Sequence, residues 1–483
     1  MTPEISIPGV DLPSIAPELI LAAGGLLVLV AGAAARPRHS PLLSAVSILV
    51  FTAAAAAALL FSGPDRAAFD GVIARDGFAT FFKVVLASVG IVGVLASQHY
   101  LTSEEAPATE YLGLMIFGTA GMMLMASASD LVFVFVALET FSLALYVMAA
   151  FRRSRLESQE GALKYFLTGS FSSAFFLYGV ALIYGGTGST RFSEIAEAAA
   201  GEPISTPLLL AGVALVLVGL AFKVAAVPFH MWTPDAYQGS PAPVSGFMAA
   251  GSKVAGFAVL LRLLVSTLPE LIRDWQPVII GLALASMITG SVVAVVQGNV
   301  KRMLAYSSIA HTGFLLTGVA AASDRGVSGS LFYLAVYTFV IIGAFAVVYG
   351  ARGEERADLA DYRGLWSRRP FLAGSLALLL VSLAGVPPTA GFWAKFEVFS
   401  AAADAGLYVP VVVAVITSAI AAFFYLRVIV LMFLEEPAEW AGRTEGTFGA
   451  TGAALLVTSA LVLILGVYPT PLIDFARAAT LLR

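Results

Sequence analysis

Cysteine is absent from all 483 residues, which excludes disulfides, thiolate ligation of iron-sulfur clusters and a thiol nucleophile. Any electron transfer linked to this chain is therefore expected in another one. Charge is also scarce: 12% of residues are Asp, Glu, Lys or Arg, with a net charge of -4. No basic block is long enough to read as a nucleic-acid surface, so no nucleic-acid partner is expected. The four histidines, His39, His99, His230 and His311, do not fall at metal-ligand spacing. The run from Gly185 to Thr190 is Gly-rich but follows an apolar helical stretch, not a strand, which argues against a phosphate loop. Neither a metal nor a cofactor site is expected in this chain.

What is abundant is apolar surface. With 59% hydrophobic residues and a mean hydropathy of +0.90, the chain has too little polar surface for a water-soluble fold. A bilayer core needs about 20 apolar residues per helical span. Such runs recur at 15-35, 41-62, 76-98, 111-128, 130-151, 160-184, 206-238, 243-267, 276-298, 300-322, 328-350, 370-402, 407-434 and 448-470. The expected fold is an all-α polytopic membrane protein of about fourteen transmembrane helices, with the lipid bilayer as its solvent. The first run lacks a positively charged leader and reads as a retained span, not a signal peptide.

Arg36, Arg38, Arg152, Arg153, Arg155, Lys301, Arg302, Arg352, Arg356, Arg363, Arg368, Arg369 and Arg443 fall in alternate loops, which the positive-inside rule puts in the cytoplasm. Both termini are then expected on the outer side of a bacterial inner membrane. The loop from Gln98 to Glu110 dissents, with Glu104, Glu105 and Glu110 and no Lys or Arg, but acidic residues weigh little in this rule.

Two spans are interrupted. The seventh contains Pro228 and the twelfth contains Gly385, Pro387, Pro388 and Gly391, and both are too long for one straight crossing. Dividing the chain into 1-110, 111-267, 276-434 and 435-483 gives three leading helices, two five-helix repeats and a last helix. An odd repeat length makes the second repeat inverted, and each broken helix is then the fourth of its repeat. Paired breaks of this kind point to a transport site, because unwound backbone is tolerated at membrane depth only where it is buried or lines a polar cavity.

Counting about 1.5 Å per residue, Glu139 in the fifth span and Lys253 in the eighth lie roughly 15 Å deep. A charge there costs roughly 3 kcal/mol on insertion scales, so it is expected to face the bundle interior. Lys223 precedes the first break, Lys395 follows the second, and His311 lies in mid-span. His230, seven residues after Lys223, is expected on the same helix face. A row of titratable groups along the midplane suggests proton transfer, with burial lowering the cost of deprotonating a lysine and a carboxylate such as Glu139 opposing that effect. Lys83, Lys164, Arg262 and Arg427 lie nearer span ends, where snorkelling competes with function. Glu397, two positions from Lys395, is expected to face elsewhere.

Several stretches resemble the antiporter-like membrane subunits of respiratory complex I, the NADH:quinone oxidoreductase. They are 161-175, then Phe222-Lys-Val-Ala-Ala-Val-Pro-Phe-His-Met-Trp-Thr-Pro-Asp and its continuation to 244, then Gly251-Ser-Lys-Val-Ala-Gly, then Asn299-Val-Lys-Arg-Met-Leu-Ala-Tyr-Ser-Ser-Ile-Ala-His-Thr-Gly, and Leu359-Ala-Asp-Tyr-Arg-Gly-Leu. The resemblance implies fourteen helices with inverted repeats and a fifth-helix Glu139 paired with the seventh-helix Lys223. It also implies Lys253 as the connecting residue and Lys395 as the distal one, and Lys164 falls in a stretch typical of the family. Lys at 395, where subunit M usually has Glu, and the lack of the long lateral helix of subunit L favour the remaining branch. Subunits K and M are then the expected neighbours, with flavin, iron-sulfur clusters and quinone in partner chains. A multi-chain cation/proton antiporter, which shares these helices, is the alternative.

Overall fold

The computed structural model describes residues 11-35, 41-201, 203-352, 357-437, 449-479 and 481. Arg36, Arg38, Arg356 and Arg443 of the Arg-bearing loops lie outside them, as does the side chain of Arg352. The helices are α1 (Ala16–Ala35), α2 (Pro41–Leu60), α3 (Gly77–Ser103), α4 (Ala108–Ser127), α5 (Leu131–Ala149), α6 (Leu156–Thr187), α7 (Phe192–Ala200), α8 (Thr206–Lys223), α9 (Trp232–Gly239) and α10 (Ala242–Leu261). They continue with α11 (Ile272–Val295), α12 (Val300–Ala320), α13 (Asp324–Arg352), α14 (Leu365–Arg368), α15 (Pro370–Ala384), α16 (Ala390–Asp404), α17 (Tyr408–Leu434), α18 (Ala450–Val467) and α19 (Thr470–Ala478).

Among the described residues, thirteen helical stretches are long and apolar enough to cross a membrane, and α15 is a shorter apolar helix. Counting α8 with α9 and α15 with α16 as single interrupted spans gives fourteen, each on one of the apolar runs that polar or Pro/Gly-rich residues separate. Span starts are set by local chemistry. Asp130 accepts from the amides of Val132 and Phe133 at 2.8 and 3.0 Å, Asp76 from Ala79 at 2.7 Å, and Asn299 from Lys301 and Arg302 at 3.1 and 3.2 Å. Each satisfies amide donors that the first helical turn leaves open.

The breaks fall where the sequence places them. The α8 helix stops at Lys223, Ala225 has φ +59°, and the peptide before Pro228 is cis. The α15 helix stops at Ala384, Gly385 has φ +83°, and the peptide between Pro387 and Pro388 is cis. That φ suits the residue without a Cβ.

The spans differ in what surrounds them. The α10, α12 and α13 helices are buried almost all round, whereas α2, α6, α11, α17 and α18 leave large apolar side chains exposed, as a lipid-facing ring does. The α6 and α8 helices approach through glycine: a Cβ on Gly179 would stand 2.7 Å from the carbonyl oxygen of Gly212. Small residues at such crossings let membrane helices pack through van der Waals contact, since lipid supplies no hydrophobic drive between them.

Outside the span pattern, the described residues form a short hairpin, β1 (Arg66–Ala68) paired with β2 (Ile73–Arg75), and the short helices α7, α14 and α19. Ile73 bridges Ala128 and Asp130 bridges Arg191, gathering these loops at one end of the bundle, and Asn299 bridges Asp358 between two of the Arg-rich loops.

Candidate functional site

The first buried lysine sits at the end of α8. Lys223 is buried, and its ammonium donates to Ser142 Oγ on α5 at 2.7 Å. Four rings surround it, with centroids 5.3 Å (Phe141), 5.4 Å (Tyr146), 5.8 Å (Tyr165) and 5.7 Å (Phe222) from the nitrogen. Such faces attract a cation without neutralising it. Trp232, the first residue of α9, stacks on Tyr165 at 4.3 Å and donates its indole N–H to the Phe222 carbonyl at 3.2 Å. The two sides of the break are thereby clamped beside the lysine.

Glu139, also on α5 and half-buried, accepts from Ser173 of α6. Among the described residues it forms no salt bridge with Lys223. The two groups implied as a pair are brought to one place, but their direct partners are two serines.

The second lysine meets the break from the other side. Lys253 on α10 donates to the Ser308 carbonyl at 2.5 Å and to Thr312 Oγ1 at 2.7 Å, both on α12. Thr312 in turn donates to the carbonyl of Val224, 2.5 Å away, in the unwound segment directly after Lys223. One threonine thus joins the connecting lysine to the first broken helix. Tyr337 of α13 places its ring 5.0 Å from the Lys253 ammonium and donates to Ser308 Oγ at 2.8 Å.

His311 continues the series. Its Nδ1 lies 2.5 Å from the Tyr333 hydroxyl and its Nε2 3.3 Å from that of Tyr425, which is also hydrogen-bonded to Ser307. A cavity of about 10 Å³ lies between His311, Tyr333 and Tyr337 on one side and Ser382 and Gly391 at the second break on the other. That is near the lower limit for one water. Beyond it, Lys395 on α16 donates to the Ala384 carbonyl, the last residue of α15, at 2.8 Å and to Ser418 Oγ on α17 at 2.6 Å. Each broken helix therefore has a buried lysine at its gap.

Two expected members stand apart. His230 lies in the unwound segment 224-231, so the seven-residue spacing from Lys223 does not put it on a shared helix face, and its Nδ1 has no hydrogen-bond partner among the described residues. Lys164 is exposed on α6 and pairs with Glu160 at 2.7 Å and Asp235 at 2.8 Å. Asp235 also accepts from Arg302 at 2.6 Å. Lys164 belongs to a charge network at the ends of α6, α9 and α12, not to the buried series. Pro228, Pro387 and Pro388 lie in the two gaps as expected. Glu397 faces Arg325 at 3.6 Å, away from Lys395.

The sequence reading missed Ser142, Ser173, Thr312, Tyr333, Tyr337, Tyr425 and Ser418. Hydroxyls are common in transmembrane helices, and only the fold shows which of them face a lysine or His311. It also left Lys83 without a role; here Lys83 stands 2.9 Å from Glu18 of α1 and donates to the Ser14 carbonyl at 2.8 Å.

Among the described residues, fourteen apolar spans, two of them opened beside buried lysines, give the architecture of an antiporter-like membrane protein. The chain belongs to the NADH:quinone oxidoreductase/Mrp antiporter transmembrane family, whose model matches residues 128–421. It is 43% identical to the NADH-quinone oxidoreductase subunit N of Trichlorobacter lovleyi, over 97% of each chain. Its structure resembles a chain of respiratory complex I from Thermus thermophilus with bound aureothin, with TM-score 0.82, 35% identity and coverage of 96% of this chain and 100% of that one. It also resembles a chain of the Mrp complex from a Dietzia species, with TM-score 0.83 and 25% identity over 97% of each.

Proposed function

We propose that this chain is a proton-translocating membrane subunit, of the subunit N type, in a bacterial NADH:quinone oxidoreductase. In this reading its proton path runs from Glu139 and Lys223 through Lys253 and His311 to Lys395. The observation that carries the reading is the joining of two lysines across a helix break: Lys253 reaches Thr312, and Thr312 reaches the Val224 carbonyl beside Lys223. A proton on Lys223 is held by Ser142, by ring faces and by the field of Glu139; protonation or withdrawal of Glu139 weakens that hold and favours release toward Lys253. His311, with a tyrosine hydroxyl at each ring nitrogen, passes a proton by donating from one nitrogen while accepting at the other. Lys395, gripping the last carbonyl of α15, is the distal station.

The units are 1-110, 111-267, 276-434 and 435-483, with the second five-helix unit inverted, and both termini face outward. Subunits K and M flank this one. Flavin, iron-sulfur clusters and quinone belong to partner chains, and this chain performs no redox step. His230, in the first gap, and Lys164, in the charge network at the ends of α6, α9 and α12, are outlying proton-carrying groups of the same proposal.

The likeness to a chain of an Mrp complex supports a second reading, a subunit of a cation/proton antiporter. One experiment separates the two: NADH-driven proton uptake by native membrane vesicles carrying Lys223→Ala, with NADH:quinone reductase activity and chain abundance measured alongside. Normal abundance with pumping lost or much reduced supports the redox pump. Intact NADH-driven pumping and quinone reduction with collapsed cation/proton exchange would transfer the chain to the antiporters.

A further inference from the structure

A groove of about 1320 Å³ opens between α1, α4, α5 and α6 at the end of the bundle that carries Arg152 and Arg153. Its walls are apolar, with Leu29, Leu114, Phe117, Val147, Leu163 and Phe166 among the lining residues, and Val147, Leu163 and Phe166 are exposed. Its rim is charged. Arg152 is committed to Glu104 at 2.7 Å, and Glu105, a third exposed carboxylate lining the groove, has an interaction of its own, but among the described residues neither the Arg153 guanidinium nor the Glu110 carboxylate has an ionic partner, and both are exposed. They stand on different walls, Arg153 in the loop before α6 and Glu110 at the start of α4.

We infer that this groove binds one zwitterionic phospholipid whose headgroup carries a primary ammonium, with its phosphate on Arg153, its ammonium on Glu110 and an acyl chain along the apolar walls. The volume exceeds the roughly 300–1,000 Å³ of a pocket for a compact small molecule, and the section is amphipathic from rim to floor, as a lipid is. A neighbouring subunit's helix would fill the apolar floor equally well. The two opposite charges at the mouth favour a ligand bearing both signs. A guanidinium matches phosphate oxygens, and a carboxylate accepts hydrogen bonds from a primary ammonium but none from a quaternary one.

The floor gives the site a consequence. Tyr146 lines the groove and also belongs to the ring cage of Lys223, and its hydroxyl is buried with no hydrogen-bond partner among the described residues. An acyl chain lying on Tyr146 seals the cage against water from that end of the bundle.

The test uses the assembled complex, extracted in mild detergent and reconstituted into nanodiscs of defined lipid. The probe is an ethanolamine phospholipid in competition with its choline counterpart, and bound lipid is read by mass spectrometry. Wild type is expected to retain the ethanolamine lipid preferentially. Arg153→Ala should lower the site's affinity about tenfold, the usual scale for a charge-assisted hydrogen bond. Glu110→Gln should remove the preference over the choline lipid. Val147→Trp, which fills the groove without touching a charge, should abolish the retained equivalent and keeps the test valid if either charge variant assembles poorly. The proposal is overturned if wild type and Val147→Trp retain the same lipids, if Glu110→Gln leaves the preference intact, or if a partner subunit's helix occupies the groove in the assembled complex.

Discussion

The ammonium of Lys223 donates to Ser142, while Glu139, three residues before that serine on α5, accepts from Ser173. The lysine and the carboxylate that the family resemblance pairs therefore meet the same helix without touching each other. Charges that do not touch still feel one another in a low-dielectric interior, where the Coulomb interaction falls off less than in water.

Ser142→Ala should consequently weaken the hold on the Lys223 proton without unfolding the bundle, since the change removes a single oxygen. A hydrogen bond to a charged group is worth roughly 1.5–3 kcal/mol, so proton occupancy shifts by about tenfold or more. NADH-driven proton uptake per unit of chain in vesicles is expected to fall several-fold, with chain abundance unchanged. Unaltered uptake would remove Ser142 from the path.

Thr312 is placed to be more sensitive. Its hydroxyl accepts from Lys253 and donates to Val224, so Thr312→Val breaks two links while keeping the side-chain shape. Pumping should fall by about tenfold or more with Thr312→Val. It should be largely retained with Thr312→Ser, which keeps the hydroxyl. Equal activity of the two variants in the vesicle assay would show that the threonine only packs.

The fourteen spans and both breaks were legible because hydrophobic length and Pro/Gly interruptions are local properties of the chain. That Lys223, Lys253, His311 and Lys395 are buried in the bundle was legible because an ionisable group in the middle of an apolar run has to face inward. What joins them was not. Thr312, Tyr425 and Ser418 matter through contacts between helices far apart in sequence, and nothing local marks one hydroxyl above another. A seven-residue spacing puts His230 on the face of Lys223 only in a regular helix, and the backbone is unwound through Pro228. Lys83 remained unexplained because its partner, Glu18, comes from another helix.

The second break depends on a close approach. A Cβ on Gly391 would run into the Ser382 carbonyl group, and a backbone carbonyl cannot swing aside as the end of a flexible side chain can. Gly391→Ala is expected to separate α15 from α16 and disturb Lys395, whose ammonium holds the Ala384 carbonyl. Overpacking of this kind typically costs about 1–3 kcal/mol and more against backbone. Chain abundance in membranes and detergent-extract melting should both drop, whereas normal values would mean that the second break opens without cost.

Lys83 and Glu18 present a different balance. Their side chains are 6% and 5% exposed and 2.9 Å apart, so removing either one strands a charge in the bundle. Lys83→Met alone should destabilise the chain by roughly 3–5 kcal/mol, the usual penalty for breaking a buried pair. Adding Glu18→Gln should recover most of the loss, because no net charge then remains buried. Thermal melting of the purified complex, followed by release of this subunit, reads both steps. If the pair is purely structural, the double variant also pumps normally. Recovered stability with pumping still depressed would place Glu18 and Lys83 on a proton route at the α1–α3 side of the bundle, separate from the series that begins at Glu139.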